Sequence, residues 1–227
     1  MLKIASWNIN SVRLRIDLVE KLSIEKQPDV ICLQETKTED QFFTAQRIKE
    51  FGYKHIAFAG KKSYNGVAIL SKLPLTAIEY YDMVGKNDKR HVKVTLPGDI
   101  DLHNFYVPAG GDVPDVKLNP KFAHKLDFVD EMKQRFLQGQ KKSKTIIVGD
   151  FNIAPFEHDV WSHKQLLNVV SHTEIEVAKL TALRESFSWV DTHREFTSLE
   201  QKLYSWWSYR ARDWSKSARG RRLDHIW

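Results

Sequence analysis

The chain has 227 residues, of which 42% are hydrophobic and 28% are charged, and its formal net charge is +6. These proportions are typical of a soluble globular protein, and the length fits one large domain or two small ones. No apolar run approaches the roughly 18 residues of a membrane span, and the N-terminal residues lack the pattern of a signal peptide. The single cysteine, Cys32, excludes an intramolecular disulfide. We therefore expect a cytoplasmic protein, and its basic charge permits a polyanionic partner.

The first quarter of the chain predicts alternating strands and helices. The predicted elements are a strand at 2–7, a helix at 15–26, a strand at 30–33 and a helix at 39–51. Thr38 suits the N-cap of the last of these helices, and Gly52 suits its C-terminal stop. This alternation is typical of an α/β protein.

The middle of the chain predicts short strands divided by turn residues, followed by one long helix. The predicted strands are 55–59, 66–71, 91–96 and 101–106. A loop is expected at 107–119, after which Asn119 and Pro120 open a helix as its N-cap and first helical residue. The apolar face of that helix is expected to comprise Phe122, Leu126, Val129, Met132 and Phe136.

The last third of the chain begins with a basic linker at 138–144 and a strongly apolar strand at 145–148. That strand ends abruptly in Gly149, Asp150, Phe151 and Asn152. A polar region is expected to about residue 181, then a helix near 182–186 and two strands at 204–207 and 222–227. We predict one α/β domain over 1–227, with mixed sheets.

Three predicted strands end in polar clusters, and these clusters suggest a metal site. If the strands are neighbours in one sheet, their polar residues converge at one end of it. Asp150 and Asn152 are two residues apart, so an extended backbone would point both the same way. Carboxylate and amide oxygens suit a hard divalent ion such as Mg²⁺. The residues concerned are Asn8, Glu35, Asp150 and Asn152. Each cluster taken alone is equally well explained as a turn.

Basic and aromatic residues are interleaved near the C-terminus, which is typical of a surface that binds nucleic acid. The aromatic residues are Trp206, Trp207, Tyr209 and Trp214, and the basic ones are Arg210, Arg212, Lys216, Arg219, Arg221 and Arg222. A solvated basic loop over a few core aromatics is the alternative.

An ordered set of motifs covers essentially the whole chain and resembles the exonuclease III / apurinic-apyrimidinic (AP) endonuclease family. That family lies within the superfamily that includes DNase I and the inositol phosphatases. The motifs are Trp7-Asn8-Ile9-Asn10-Ser11-Val12-Arg13, Leu33-Gln34-Glu35-Thr36-Lys37, Tyr64-Asn65-Gly66-Val67-Ala68, Tyr106-Val107-Pro108, Gly149-Asp150-Phe151-Asn152-Ile153 and Gly220-Arg221-Arg222-Leu223-Asp224. The resemblance implies a four-layer α/β sandwich of two packed mixed sheets flanked by helices, as in DNase I.

The resemblance also implies roles for the polar clusters. Glu35 would be the principal ligand of Mg²⁺, or alternatively of Mn²⁺, with Asn8 and Asn10 beside it. The metal would neutralise phosphate charge and stabilise the leaving oxygen. Asp150 would orient or deprotonate the attacking water. Asn152 would hold a phosphate oxygen and fix Asp150. Tyr106 would donate a hydrogen bond to the phosphate or assist as an acid.

Further resemblances concern DNA. The loop of Tyr64, Asn65 and Gly66 matches one that contacts the DNA backbone, and Arg210 of the basic segment is expected to contact DNA. Weaker phosphate candidates are Arg13, Lys37 and Lys62. Trp206 and Leu223 match residues that line the pocket for a flipped-out abasic sugar. Such a pocket would select a nucleotide whose base is already missing, because extruding that nucleotide from the duplex costs least. Arg221 stands where some relatives have an aromatic residue, which leaves one wall of that pocket undefined.

The C-terminus departs from the family pattern, because members usually finish with a Ser-Asp-His motif. Here Asp224 matches the preceding motif, whose aspartate supports the catalytic histidine. By that register His225 is a strand residue whose side chain points to the opposite face. We therefore expect the final strands and the catalytic histidine to be missing from the 227 residues, with turnover impaired in this form.

The leading hypothesis is a Mg²⁺-dependent DNA-repair phosphodiesterase. It would cut 5′ to abasic sites, degrade duplex DNA from 3′ ends, or do both. Its expected partner is double-stranded DNA with an abasic site or a blocked 3′ end, and we expect a monomer without membrane contact. The alternatives are a superfamily phosphoesterase acting on RNA or a small phosphodiester, and a catalytically impaired DNA-binding fragment.

Overall fold

The computed structural model describes residues 1–139, 144–208 and 213–227, and it divides into two compact units. Unit 1 comprises Met1–Tyr106 and Lys142–Asp150, and unit 2 comprises Val107–Lys141 and Phe151–Trp227. Among the described residues, no helix combines the length and the apolar character needed to cross a membrane.

Unit 1 contains two mixed β-sheets and two helices. Its strands are β1 (Ile4–Asn8), β2 (Val30–Gln34), β3 (His55–Lys61), β4 (Tyr64–Ser71), β5 (Thr76–Glu79), β6 (His91–Leu96), β7 (Ile100–Tyr106) and β8 (Thr145–Asp150). Its helices are α1 (Ile16–Glu25) and α2 (Ala45–Glu50), with 3-10 turns at Asp40–Phe42 and Met83–Gly85. The first sheet has the order β1-β2-β4-β3, and the second contains β8-β7-β6-β5. In each sheet one pair is parallel, β1 with β2 and β7 with β8.

Both faces of the first sheet are covered. On one face, Ile31 and Leu33 of β2 pack into a buried cluster with Val19 of α1 and Ile48 of α2. Such helix-on-sheet burial provides most of the stability of an α/β layer.

A buried polar contact joins the two sheets of unit 1. Gln34 and Asn104 are both fully buried, and the Gln34 Nε2 donates to the Asn104 Oδ1 at 2.7 Å. The Asn104 Nδ2 donates in turn to the backbone oxygens of Leu33 and Ala68, at 2.9 and 3.0 Å. Buried amides are stable only when they are paired in this way.

Unit 2 consists mainly of helices. They are α3 (Pro120–Gln138), α4 (His163–Leu166), α5 (Glu174–Ser186), α6 (Thr192–Glu195) and α7 (Trp214–Ser217), with a 3-10 turn at Glu157–Asp159. Its strands are β9 (Trp206–Trp207), β10 (Gly220–Arg221) and β11 (Asp224–Ile226), of which β9 and β10 pair antiparallel. The start of α3 is confirmed, since the Asn119 side chain accepts from the Lys121 N, and its predicted apolar face is buried.

The helix predicted at 39–51 is wrong in its first half. The chain forms a 3-10 turn, leaves the helical conformation at Phe43 and resumes as α2. The Phe43 ring stacks on Phe58 of β3 at 4.1 Å between centroids, and the Asp40 carboxylate accepts a hydrogen bond from the backbone of β3. These contacts outweigh the local helix preference, and Thr38 is therefore not a helix N-cap.

The helix predicted near 182–186 begins much earlier, at the start of α5. Thr173 and Glu176 form a capping box, in which the Thr173 hydroxyl accepts from the Glu176 N and the Glu176 carboxylate accepts from the Thr173 N. Each of these bonds satisfies a backbone donor at the helix start. The Thr-x-x-Glu signal for this helix start is present in the sequence.

A buried histidine makes the stability of the protein depend on pH. Burial, reinforced by the charge of Lys93, lowers the pKa of His103 from 6.5 to about 3. The unfolded chain therefore takes up a proton between pH 6.5 and 3 that the folded chain excludes, so the stabilisation present above pH 6.5 is lost on acidification. We expect His103 alone to reduce the free energy of unfolding by about 2 kcal/mol between pH 7 and pH 5.

Urea denaturation of the parent and of His103→Gln at both pH values measures this effect. The variant should show a correspondingly smaller difference between pH 7 and pH 5. Equal differences in the two proteins would contradict a neutral, buried His103.

Candidate active site

Three predicted site residues meet in unit 1 around a single amide group. The Asn8 Nδ2 donates to the Glu35 Oε1 at 2.9 Å and to the Asp150 Oδ2 at 2.8 Å. The expected arrangement, in which the three strands are neighbours in one sheet, is not observed, because β1 and β2 lie in one sheet and β8 lies in the other. The residues converge because the two sheets of unit 1 pack face to face and present their strand ends on the same side.

Glu35 has two further partners. The Tyr106 hydroxyl donates to its Oε1 at 2.7 Å, and the Lys37 Nζ lies 2.7 Å from its Oε2. Burial alone would raise the pKa of Glu35, but the hydrogen bonds from Asn8, Lys37 and Tyr106 outweigh it and hold the pKa below its usual value. Burial and the two nearby carboxylates raise the pKa of Tyr106, so its hydroxyl stays protonated and acts as a donor.

Backbone geometry at the strand ends fixes these side chains. Beyond the ends of β1 and β2 the two segments stay paired, since the Ser11 N donates to the Glu35 O at 2.7 Å. Glu35 itself has a φ of 53°, in the sparsely populated left-handed region. Such strain persists only where its surroundings enforce it, and it is common at functional sites. Gly149 has a φ of 143°, and a Cβ there would lie 1.9 Å from the Phe105 O, so only glycine fits before Asp150.

The donor set around Asn8 suits a hard divalent cation. Two carboxylates of different strands face one amide, and Mg²⁺ takes one or two carboxylates and keeps several waters. Within the described residues there is no group of three or more His, Cys, Asp and Glu side chains placed to hold a metal.

The amides near the carboxylates are already engaged. The Asn8 Oδ1 accepts from the Asn10 N at 3.2 Å, so its nitrogen faces the carboxylates. The Asn10 Oδ1 accepts from the Lys37 Nζ at 2.6 Å. Metal ligation by Asn8 and Asn10 stays a prediction and would require both amides to exchange partners. Lys37 lies between Glu35 and Asn10, so the structure gives it carboxylate and amide partners instead of a free ammonium for phosphate.

The predicted DNA-contact residues of unit 1 differ in exposure. Tyr64 is 59% exposed, and Arg13 and Lys62 are also exposed. Asn65 is buried, and its Nδ2 donates to the Asp88 O at 2.9 Å. A Cβ on Gly66 would lie 2.2 Å from the Thr36 Oγ1, so this glycine is required for close packing within the protein.

Asn152 belongs to unit 2. Its φ is 54°, so the chain is not extended there and the alternation expected from Asp150 does not apply. The Asn152 Nδ2 donates to the Val107 O at 2.9 Å, and its backbone oxygen accepts from the Lys125 Nζ at 2.8 Å.

The pocket residues predicted near the C-terminus also belong to unit 2. Leu223 is buried in a cluster with Ala154, Val160 and Leu166, and Trp206 packs against that cluster. Burial raises the pKa of Asp224 to about 6, against the effect of its hydrogen bond with Ser205. Arg210 lies outside the described residues.

His225 is a strand residue, as the predicted register requires, and it lies in the core of unit 2. It is fully buried, its ring stacks on Phe151 at 5.1 Å between centroids, and its Nε2 lies 2.9 Å from the Ile153 O. Burial lowers the pKa of His225 to about 3, so the ring is neutral at pH 7.

The basic segment near the C-terminus is only partly a surface. Arg222 is 1% exposed and binds Asp159 and Asp191. Arg221 donates to the Val170 O at 3.0 Å and the Ser171 Oγ at 2.7 Å. The expectation that the basic side chains of this segment face nucleic acid is therefore wrong for Arg221 and Arg222, because both guanidinium groups bind partners within the protein.

Sequence reasoning missed one residue beside Tyr106. The Arg90 guanidinium lies 4.6 Å from the centroid of the Tyr106 ring, and its Nη1 donates to the Tyr106 O at 3.2 Å. The residue also pairs with Asp88. Arg90 sits just before β6 with no motif around it, so only the fold reveals that it orients Tyr106.

Two packed mixed sheets flanked by helices, with a carboxylate pair at their strand ends, define a phosphoesterase of the DNase I-like class. The fold class predicted from the sequence is confirmed by solved structures as well. An AP endonuclease from Archaeoglobus fulgidus is 31% identical and superimposes with a TM-score of 0.91, covering 100% of this chain and 86% of that one. The 3′ phosphatase NExo from Neisseria, solved with a product DNA hairpin, is 27% identical with a TM-score of 0.89, at the same two coverages.

The chain belongs to the endonuclease/exonuclease/phosphatase family, whose model matches residues 5–227. Among curated relatives, exodeoxyribonuclease III of Haemophilus influenzae is 29% identical over 244 residues, covering 99% of this chain and 86% of the relative. The DNA-(apurinic or apyrimidinic site) endonuclease of Dictyostelium discoideum is 29% identical over 230 residues, covering 99% of this chain and 62% of the relative. The predicted resemblance to the exonuclease III / AP endonuclease family is confirmed.

Proposed function

We propose that this protein is a divalent-metal-dependent DNA-repair nuclease. It would cleave the backbone 5′ to abasic sites and remove nucleotides or blocking groups from 3′ ends of duplex DNA. The observation that carries the proposal is the cluster in which Asn8 joins Glu35 and Asp150 while Tyr106 donates to Glu35. The relatives support the choice of substrate, since they include an AP endonuclease, an exodeoxyribonuclease III and a 3′ phosphatase bound to DNA.

Glu35 would be the principal residue holding the metal, with Mg²⁺ as the proposed ion and Mn²⁺ as a substitute. When bound, the ion supplies charge neutralisation at the phosphate. Asp150 would be the base, because its carboxylate lies beside that of Glu35, where both accept from the Asn8 Nδ2, at 2.8 and 2.9 Å. It would orient a water and accept its proton.

Tyr106 would act as a hydrogen-bond donor at the phosphate. Its hydroxyl keeps its proton because burial and the neighbouring carboxylates raise its pKa. Arg90 fixes the ring through the contact at 4.6 Å. From unit 2, Asn152 would hold a phosphate oxygen, while Trp206 and Leu223 would line a pocket for the abasic sugar. We propose a monomeric cytoplasmic protein whose partner is duplex DNA.

The test is cleavage of a labelled duplex that carries one abasic site. With Mg²⁺ we expect a single nick on the 5′ side of that site, no nick in a matched duplex without the site, and no product in EDTA. A recessed duplex ending in a 3′-phosphate tests the second activity. RNA and inositol phosphates serve as competing substrates, and turnover of either without any cleavage of DNA would overturn the proposal.

A further inference from the structure

A lysine is completely buried in unit 2, where polar groups surround its ammonium. Lys125 lies on α3 with no exposed surface. Its Nζ is 2.5 Å from the Glu176 Oε1, 2.8 Å from the Asn152 O and 3.2 Å from the Ala109 O. An ammonium group has three N–H donors, so this set of acceptors matches its full capacity. Burying a lysine in this way is costly unless every donor is used.

The counter-ion of Lys125 is itself rigidly held. Glu176 is fully buried at the start of α5, and it accepts from the Ser171 N with both oxygens, at 3.0 and 2.9 Å. Thr173 adds its backbone N at 3.1 Å and its hydroxyl at 2.7 Å. The position of the ammonium is therefore set by a fixed carboxylate and does not depend on the flexible lysine stem.

The other two acceptors lie on loops that follow functional strands in the sequence. Ala109 is three residues after Tyr106, and Asn152 is two residues after Asp150. Within unit 2 the Asn152 side chain also donates to the Val107 O at 2.9 Å. The loop after Tyr106 and the loop after Asp150 are therefore joined in two ways. The Lys125 Nζ donates one hydrogen bond to each loop, and the Asn152 side chain donates another from the second loop to the first.

The loop after Tyr106 is shaped around the lysine. Gly110 has a φ of 90°, and a Cβ there would lie 2.8 Å from the Lys125 Cδ. Asn152 has a φ of 54°, in the left-handed region, which asparagine adopts more readily than most residues with a side chain but less readily than glycine. Its backbone oxygen receives the Lys125 hydrogen bond, which is charge-assisted and hence stronger than one from a neutral donor.

A buried ion pair is a poor means of stabilising a core. Apolar residues of similar volume often replace such pairs with little loss of stability, whereas removing one partner leaves an uncompensated charge. The charge of Lys125 is therefore better explained by the two carbonyls it orients than by packing.

We propose that Lys125 is a positioning residue for the reaction, and that its ammonium holds Asn152 in the backbone conformation from which its amide serves the substrate phosphate. This inference rests on the proposed function. It concerns how the site is assembled and leaves the identity of the substrate unchanged.

The experiment compares Lys125→Met with the double variant Lys125→Met/Glu176→Gln, in which both charges are removed. Lys125→Arg keeps the charge, and Lys121→Met is a matched control on the exposed face of α3. Lys125→Met alone should unfold at clearly lower urea concentration because it strands Glu176. The double variant should recover much of the parent's midpoint and still show a 10- to 100-fold lower kcat on abasic DNA, with KM within threefold. Lys125→Arg should recover part of kcat, and Lys121→Met should match the parent.

A double-mutant cycle with Asn152→Ala distinguishes positioning from general packing. If Lys125 acts through Asn152, the charge-free pair should lower kcat by less than threefold in the Asn152→Ala background. An equal loss in both backgrounds, or a stable double variant with the parent's kcat, would overturn the proposal.

Amide hydrogen exchange supplies a readout that needs no activity. In the double variant we expect exchange at 107–110 and 151–153 to accelerate at least tenfold, while the amides of β2 and β7 exchange at the parent's rate. If the parent fails to cleave abasic DNA, the proposed function is refuted, and the exchange result still decides whether Lys125 orders these loops. Unchanged exchange there would refute the positioning role.

Discussion

Replacing Glu35 by glutamine is expected to lower kcat on abasic duplex DNA by at least about 10³-fold, a loss of about 4 kcal/mol of transition-state stabilisation. The variant retains the volume of Glu35 but replaces the charged carboxylate that accepts hydrogen bonds from Asn8, Lys37 and Tyr106. A divalent ion would lose the carboxylate of its principal ligand, and an amide is a much weaker ligand for a hard cation. The measurement is single-turnover cleavage over a range of Mg²⁺ concentrations.

DNA binding separates this loss from unfolding. Affinity for the abasic duplex in EDTA should stay within about threefold of the parent, because phosphate contacts from basic side chains dominate affinity. Glu25→Gln is the matched control, since Glu25 is exposed on α1 with only a surface partner, Lys21. It should retain full activity. A Glu35→Gln protein that cleaves at the parent's rate would remove Glu35 from the catalytic site.

Replacing Arg222 by methionine is expected to lower the free energy of unfolding by about 3–5 kcal/mol. The guanidinium donates to the Asp191 Oδ1 at 2.9 Å, the Asp191 Oδ2 at 2.8 Å and the Asp159 Oδ2 at 2.9 Å. Burial would raise the pKa of Asp191, but Arg222 outweighs burial and lowers it. Methionine would leave the carboxylates of Asp159 and Asp191 buried without their shared guanidinium, although Arg194 would still pair with Asp159.

Two further variants locate the cause of that loss. Arg222→Lys keeps the charge but not the planar fork that binds two carboxylates, so an intermediate loss is expected. Arg219→Met removes a surface contact in which the guanidinium lies 4.7 Å from the Trp161 ring, worth about 1 kcal/mol or less. Urea denaturation at pH 7 measures all three proteins. A loss no larger for Arg222→Met than for Arg219→Met would show that the buried pairs are not needed for stability.

The sequence was most informative where local chemistry and tertiary structure agree. Asn119 followed by Pro120 predicted the start of α3, and the apolar spacing predicted its buried face, because both signals are local. The same holds for β6, whose predicted bounds coincide with His91–Leu96. Strand β5 was missed because its four residues are all exposed and Ala77 has a φ of 45°, so no alternating pattern marks it.

The candidate site was predictable as a set of residues but not as an arrangement. The order of the motifs predicted that Asn8, Glu35 and Asp150 meet, but their strands belong to two sheets and are not neighbours in one. Sheet membership depends on long-range pairing, which a periodic pattern does not encode. The basic character of Arg222 likewise suggested a surface role, because composition cannot show that Asp159 and Asp191 enclose it.

The Gln34–Asn104 contact determines how far the site tolerates sliding between the sheets of unit 1. Glu35 adjoins Gln34 at the end of one sheet, while Asp150 ends a strand of the other, so any slip between the layers changes the separation of the two carboxylates directly. Apolar side chains in place of both amides could pack well, but they would allow several relative positions of the two sheets with nearly equal energy. The hydrogen bond between the two amides therefore fixes the relative position of the sheets. Substitutions intended to stabilise this protein should leave Gln34 and Asn104 unchanged.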